Sequence, residues 1–299
     1  MKEYIISKAD KYLYDNLNDL INIGSKDKSP RPHWKDGTPA HTLSINHVFN
    51  TYNLDSESYD IPFVTLRPIA FKNAIKEIFW IYQDASNSLT LLSKKYGITW
   101  WDEWDVGNRT IGCTYGETVR RHNLMNNLLK SLQNDPDGRR HIMSLWQNDD
   151  FEYKHGLPPC CFQTIWNVRH SDSGDFLDMT LIQRSSDYIL SGNINQIQYM
   201  SLMYIVCGHL NYHTNNNNYK PGKFTHYMVN QHIYDRHIES AKEMLNRKPI
   251  EFKIDGELPH FEVEPKDFYK YKPEDIKVVG YPIDLIKENN PQIKFEVAI

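Results

Sequence analysis

One stretch past the middle of the chain does most to restrict its fold. From Asn195 to Leu210 the sequence is long, apolar and uninterrupted. A helix that is apolar all round belongs inside a protein, with other elements covering it. The segments around it read as strands. Cys161 to Val168 and Phe176 to Arg184 precede it, the second with clear alternation, and Phe224 to Val229 returns as a strand after it. A buried central helix set among strands predicts an α+β domain.

The remaining elements fit the same class. Residues 1 to 24 read as a helix, with apolar positions at Tyr4, Ile5, Tyr12, Leu13, Leu17, Leu20 and Ile21, and Gly24 as its stop. The polar stretch through Gly37, with Pro30 and Pro32, reads as a loop. Thr42 to Tyr52 alternates as a strand. Phe71 to Gln83 and Leu124 to Asn134 are helical, and Arg140 to Trp146 suggests a strand. His232 to Asn246 reads as a helix whose basic end suits the helix dipole. Asn215 to Asn218 is a polar run expected at a loop tip. Residues 259–299, rich in charge and proline, read as a peripheral C-terminal extension with one short strand near Lys277-Val278-Val279. No internal repeat is visible, so a single domain over residues 1–299 is the economical reading.

Composition excludes several function classes. The chain carries 34 basic and 38 acidic residues, a net charge of −4. A protein that coats nucleic acid is usually strongly basic, so the charge balance argues against nucleic acid as the main partner. The four cysteines Cys113, Cys160, Cys161 and Cys207 contain no CxxC pair, so no zinc site is expected. Adjacent Cys160 and Cys161 make a poor disulfide. Reduced thiols predict a cytoplasmic protein. No apolar run reaches the ~18 residues of a membrane span, and Met1-Lys2-Glu3-Tyr4 does not open a signal peptide.

The chemistry concentrates in Leu157-Pro158-Pro159-Cys160-Cys161, followed by Gln183-Arg184-Ser185-Ser186-Asp187 and Asn195. A cysteine that attacks carbon must be a thiolate, which needs positive charge or hydrogen-bond donors nearby. Arginine suits a phosphate. An amide offers one donor and one acceptor, which can match the edge of a uracil ring. Thiolate, phosphate clamp and amide reader together suggest covalent chemistry on a pyrimidine nucleotide. Each residue also has a plainer reading: a buried apolar cysteine, a surface ion pair for Arg184, an N-cap for Asn195. Cys161 competes with Cys160 as nucleophile. Glu77 lies inside the apolar helix Ile75 to Ile81, where a carboxylate is costly without a role or a partner. On composition, Trp101 and Trp104 read as core.

Several segments, in this order and spacing, resemble thymidylate synthase along nearly the whole chain. They are Asp36-Gly37-Thr38-Pro39-Ala40-His41-Thr42-Leu43-Ser44, Lys76-Glu77-Ile78-Phe79-Trp80, Trp101-Asp102-Glu103-Trp104, Gly138-Arg139-Arg140-His141-Ile142, His232-Ile233-Tyr234 and Phe295-Glu296-Val297-Ala298-Ile299. The first is similar to a branch of Bacillus-type enzymes. The resemblance implies a mixed sheet flanked by helices, with sheets packed back to back in a homodimer. It implies methylation of dUMP to dTMP, with 5,10-methylenetetrahydrofolate giving the one-carbon unit and the hydride.

The resemblance also implies roles. Cys160 would be the nucleophile, Glu77 and Tyr115 would move protons, and Asn195 and Asp187 would complete the catalytic set. Arg184 and Ser185 would hold phosphate, joined by Arg139 and Arg140 from the partner subunit. His232 and Tyr234 would bind the sugar hydroxyl. Trp101, Asp102, Trp104, Asp187, Ser191 and Ala298 would line the folate site, and the C-terminal tail would close over it.

Some positions depart from the family pattern. Ser191 stands where a glycine is usual. Asn193-Ile194 replaces Pro-Phe, and Val229-Asn230 replaces Gly-Asp. The N-terminal phosphate arginine could be Arg31 or Lys35. These departures keep two alternatives open: a dUMP hydroxymethylase, in which water captures the one-carbon unit, and a nucleotide- or RNA-binding regulator without turnover.

Overall fold

The computed structural model describes residues 3–55, 60–214 and 218–298. The chain enters through strand β1 (Tyr4–Ile6) and turns into helix α1 (Lys8–Ile23). The helix expected over residues 1 to 24 therefore lacks its first residues. The cause is tertiary, because Tyr4–Ile6 pairs antiparallel with Glu251–Lys253, far along the chain. Ser7 caps the shortened helix, its Oγ accepting from the amides of Ala9 (3.0 Å) and Asp10 (3.4 Å). Gly24 ends α1 as expected. A Cβ there would stand 2.2 Å from the Leu20 carbonyl oxygen, so no larger residue fits without a backbone shift.

A mixed sheet forms the centre. Its strands are β2 (Ser25–Lys26), β3 (Thr42–Asn53), β4 (His141–Ser144), β5 (Cys161–Ser171), β6 (Gly174–Gln183), β7 (Ser186–Asp187) and β8 (Tyr219–Tyr234). The order is β2-β3-β8-β6-β5-β4, with β7 continuing beside β8. Neighbours are antiparallel except β6–β8 and β7–β8, which are parallel. Parallel neighbours cannot be joined by a tight turn and need a crossover, usually a helix.

Helices α2 (Phe71–Ile78), α3 (Leu89–Tyr96), α4 (Gly116–Arg121) and α5 (Leu124–Asn134) precede β5, and α6 (Asn193–Thr214) is the crossover. That task explains its composition. Most of its residues from Gln196 to Leu210 are buried, between the sheet and α2. Several of the polar groups it carries inward are paired, although Asn193 Oδ1 at its start is buried without a partner. Tyr199 Oη lies 2.9 Å from Tyr82 Oη and donates to the Cys161 carbonyl at 3.2 Å. Gln196 accepts from Tyr52 Oη at 2.9 Å and donates to the Pro62 carbonyl at 2.6 Å.

The expected α5 and the strands near Thr42, Cys161 and Phe176 stand as read. The helix over Phe71 to Gln83 is continuous but ends in a π-helical turn, Phe79–Gln83. One reading is corrected. His232 to Tyr234 finish β8, and helix α7 (Ile238–Leu245) begins only afterwards. β8 is bonded to β3 on one side and to β6 and β7 on the other. Pairing on both edges extends it beyond Phe224 to Val229, over local helical preference.

The last part of the chain holds β9 (Glu251–Lys253), β10 (His260–Glu262), the expected β11 (Lys277–Val279), paired with β10, and α8 (Ile283–Asn289). Its surface is polar, yet Phe261, Phe268, Tyr271, Ile276 and Ile286 are buried. His209 of α6 anchors it: Nδ1 accepts from the Phe268 amide at 3.0 Å, while Nε2 meets the Gln133 amide at 3.1 Å. His213 pairs with Asp267 at 2.8 Å. Both nitrogens of His209 are thus committed to structure. No helix among the described residues is long and apolar enough to cross a membrane. Of the polar run Asn215 to Asn218, residues 215–217 lie outside the described residues, as does Ile299.

Candidate active site

The topology brings six elements of the chain to one end of the sheet. β5 runs antiparallel to β6, so Cys161 at its start pairs with Gln183 at the end of β6. β7 continues beside the end of β8, with Asp187 opposite His232. The start of α6 brings in Asn195. Helix α2 packs on α6 and contributes Glu77.

Cys160 sits where Pro158 and Pro159 hold the approach extended. Arg184 donates from Nε to the Pro159 carbonyl (2.9 Å) and from Nη2 to the Pro158 carbonyl (2.8 Å). The same Nη2 lies 3.5 Å from Cys160 Sγ. Two backbone acceptors therefore fix the guanidinium against the thiol. Tyr115 accepts from the Cys160 amide at 3.0 Å and also favours the thiolate by hydrogen bonding. Tyr115 pays for its position with φ of +48°, a strained value for a bulky residue. Burial is the largest influence and holds the Cys160 thiol above its ordinary range, while Arg184, Tyr115 and Arg31 pull it back down. The Arg31 charge also favours the ionised forms of this thiol and of Tyr234. Cys161 is buried, and desolvation drives its thiol well above the ordinary range. It is the poorer nucleophile of the pair.

Glu77 is 5% exposed, and burial raises its carboxyl to about 7. The Trp100 indole donates to Oε2 at 2.5 Å, and Gln198 and Trp101 also favour the ionised form. Trp101 packs edge-on against Tyr115 (4.9 Å), Trp104 (5.4 Å) and, more tilted, Trp80 (5.9 Å), forming an aromatic wall beside the carboxyl. Asp102 next to it pairs with Arg109 at 2.8 Å.

Asp187 caps the turn that opens α6, accepting from the Leu190 amide, while Ser191 Oγ donates to the Asp187 carbonyl at 3.0 Å. Burial raises the Asp187 carboxyl to about 7 and lowers the buried Arg67 beside it to about 10. Asn195 is partly open and bonded on both sides, to Gln183 and Gln198. The Ser185 carbonyl accepts from Gln183 at 2.9 Å. His232 is buried and lowered to about 4 by desolvation, so it is neutral at pH 7; its ring meets Tyr234 edge-on at 5.3 Å. The tail reaches the same region. Phe295 lies over Arg67, Glu296 pairs with Arg236 at 2.9 Å, and His237 Nε2 donates to the Glu296 carbonyl at 2.9 Å. Ala298 is the last described residue.

Cys160, Arg184, Tyr115, Glu77, Asn195, Asp187, Tyr234 and Trp101 are thus gathered at one end of the sheet. Arg139 and Arg140 are not, being exposed in a single chain just before β4. The family model for thymidylate synthase matches residues 11–299. The chain belongs to the thymidylate synthase family. It is 40% identical to the thymidylate synthase of Streptococcus agalactiae serotype Ia over 297 residues, covering 98% of this chain and 100% of that one. It is equally similar, at 40% over 298 residues, to the enzyme of Streptococcus pneumoniae strain 70585. The fold resembles the solved thermostable thymidylate synthase A of Bacillus subtilis, with a TM-score of 0.82, 30% identity and 97% and 99% of the two chains covered.

As a thymidylate synthase family member, the chain uses polar residues that sequence reading did not single out. Trp100, rather than its neighbour Trp101, makes the direct bond to Glu77. Arg67 sits beneath the tail. Gln198 and His226 join the amides around Asn195. Only the two glutamines in an otherwise apolar helix gave a sequence cue, and it was silent about their partners.

The raised Glu77 carboxyl carries a stability cost with a definite sign. Its folded value, about 7, exceeds the ordinary 4.5. The cost is absent below pH 4.5 and grows to roughly 3 kcal/mol as pH passes 7. Glu77→Gln should therefore be more stable than wild type in urea unfolding at pH 8, with the difference fading toward pH 5.

Proposed function

We propose that this chain converts dUMP to dTMP, taking the one-carbon unit and the hydride from 5,10-methylenetetrahydrofolate and releasing dihydrofolate. The observation that carries this reading is the Cys160 thiol held against an arginine whose own position is fixed by two backbone carbonyls. The Cys160 thiolate adds to carbon 6 of uracil, which makes carbon 5 an enolate carbon able to attack the one-carbon unit. A phosphate bound by Arg184, Ser185 and Arg31 anchors the nucleotide. Asn195 reads the ring edge, and Tyr234 and the neutral His232 meet the sugar. Glu77, titrating near neutral pH, exchanges protons with the ring through water. Tyr115 assists loss of the carbon 5 proton. Trp101, Trp104, Asp102, Asp187 and Ser191 line the folate side. The tail through Ala298 closes over both ligands and keeps water from the reactive methylene.

The active form is a homodimer. The sheet face opposite α6 leaves Phe49 and Ile142 half exposed or more, and Phe49 stacks flat on Tyr227 at 4.3 Å. An apolar, open sheet face suits a second copy. Across that interface Arg139 and Arg140 would reach the partner's phosphate, which explains why they point to solvent in one chain. The reading places the protein in the cytoplasm and assigns it no metal.

Two experiments test this. Incubation with dUMP and 5,10-methylenetetrahydrofolate should yield dTMP and equimolar dihydrofolate; 5-hydroxymethyl-dUMP without dihydrofolate would overturn the assignment. Mixing inactive Cys160→Ala with an Arg139→Ala/Arg140→Ala variant, after subunit exchange, should restore about a quarter of wild-type activity, since half the dimers carry one intact site of two. No recovery despite exchange would refute the shared site.

A further inference from the structure

The direct bond to Glu77 comes from the more exposed of two consecutive indoles. Gly97, left-handed at φ +70°, ends α3. The chain then makes a turn, closed by the Asp102 amide donating to the Thr99 carbonyl at 3.0 Å. Trp100 and Trp101 are its central residues, and Trp101, at φ −91° and ψ −4°, has the backbone of a type I turn. The turn treats the two rings unequally. Trp101 is 7% exposed, and its Nε1 is buried without a hydrogen-bond partner. Trp100 is 37% exposed, and its Nε1 donates to Glu77 Oε2 at 2.5 Å. A half-exposed side chain thus spends its one polar group on a carboxyl that is 5% exposed. The other groups near that carboxyl carry no charge at pH 7. On β5, Cys161 is kept neutral by burial. From α6 comes the amide of Gln198, and Lys76 of α2 is turned instead to the Tyr96 carbonyl of α3, at 3.2 Å.

We infer that Trp100, within the function proposed above, is a positioning residue for Glu77: its N–H holds Oε2 and favours the ionised carboxyl, leaving Oε1 to carry the proton. An indole nitrogen donates and cannot accept. A proton on Oε2 would set donor against donor, so protonated Glu77 keeps its hydrogen on Oε1 while the indole bond stays in place. The same bond favours the carboxylate over the acid and offsets part of the cost of burying it. A water that exchanges a proton with Glu77 therefore meets one oxygen in one orientation. Trp100 touches neither ring nor cofactor in this role. It acts through Glu77 alone.

Trp100→Phe keeps a ring and removes the N–H; Trp100→Leu removes both. Each should shift the Glu77-dependent limb of the kcat–pH profile upward by about one unit. Plateau kcat should fall by roughly tenfold, with KM for dUMP near wild type. Urea unfolding supplies a readout that needs no turnover. Losing a donor to the carboxylate raises the folded Glu77 carboxyl further above its unfolded value. The added cost is therefore absent at pH 5 and present at pH 9. Trp100→Phe should weaken folding about tenfold more at pH 9 than at pH 5, and this excess should vanish in a Glu77→Gln background. A lost packing contact would weaken folding equally at both pH values. An unmoved pH limb, an unchanged plateau kcat or a pH-independent loss of stability in a folded variant would each overturn the inference. If neither variant folds, tryptophan emission of wild type and Glu77→Gln decides. A titration step near neutral pH in wild type, absent from Glu77→Gln, supports the bond, and its absence from both overturns it. Failure of the underlying function looks different: wild type would make no dTMP, while unfolding and emission would still report on Trp100 and Glu77.

Discussion

The parallel pairing of β6 with β8 is the constraint on which the rest of the structure depends. Two parallel neighbours force a crossover, and the crossover must lie on one face of the sheet. That crossover is α6, and its burial explains its apolar sequence. Its start must follow the end of β6, where antiparallel pairing has already brought the start of β5. Cys160, Arg184, Asp187 and Asn195 come together at that end because the strand order leaves them no other place. The end of β8 adds His232 and Tyr234 from the same geometry.

Concentrating polar groups at a buried sheet end has a cost, which the structure meets in two ways. Some groups are made neutral: burial holds His232 and His226 uncharged and raises Glu77 and Asp187 toward pH 7. Others are fixed by neutral acceptors. Arg184 is held by two carbonyls of the Pro158-Pro159 segment rather than by a carboxylate, so its charge is left for the thiol and for an anion. An ion pair in the same place would have consumed that charge. The strained Tyr115 belongs to the same economy, holding its hydroxyl on the Cys160 amide.

Much of this was legible in the sequence, and the rest was not for identifiable reasons. The apolar run of α6, the alternation of β6 and the stop at Gly24 are local signals that survive folding. The opening residues Tyr4–Ile6 and the end of β8 take their conformation from strands distant in sequence, so local pattern misassigned both. Cys160, Arg184 and Asn195 announced themselves by residue type and resemblance. Gln198, Trp100 and Arg67 did not, because an amide, an indole or a guanidinium acquires meaning only from the group it faces. Arg31 and Lys35 were indistinguishable in a polar loop. In the fold the Arg31 charge reaches Cys160, an effect that no local pattern in the loop announces.

The central claim is that Arg184 and the backbone select Cys160, and not its neighbour, as the attacking thiol. The most direct test compares Cys160→Ser and Cys161→Ser for dTMP formation under identical conditions. The account predicts turnover within about tenfold of wild type for Cys161→Ser, and none detectable for folded Cys160→Ser, because a serine hydroxyl is not ionised by these neighbours. Loss of turnover in Cys161→Ser with activity retained in Cys160→Ser would contradict it.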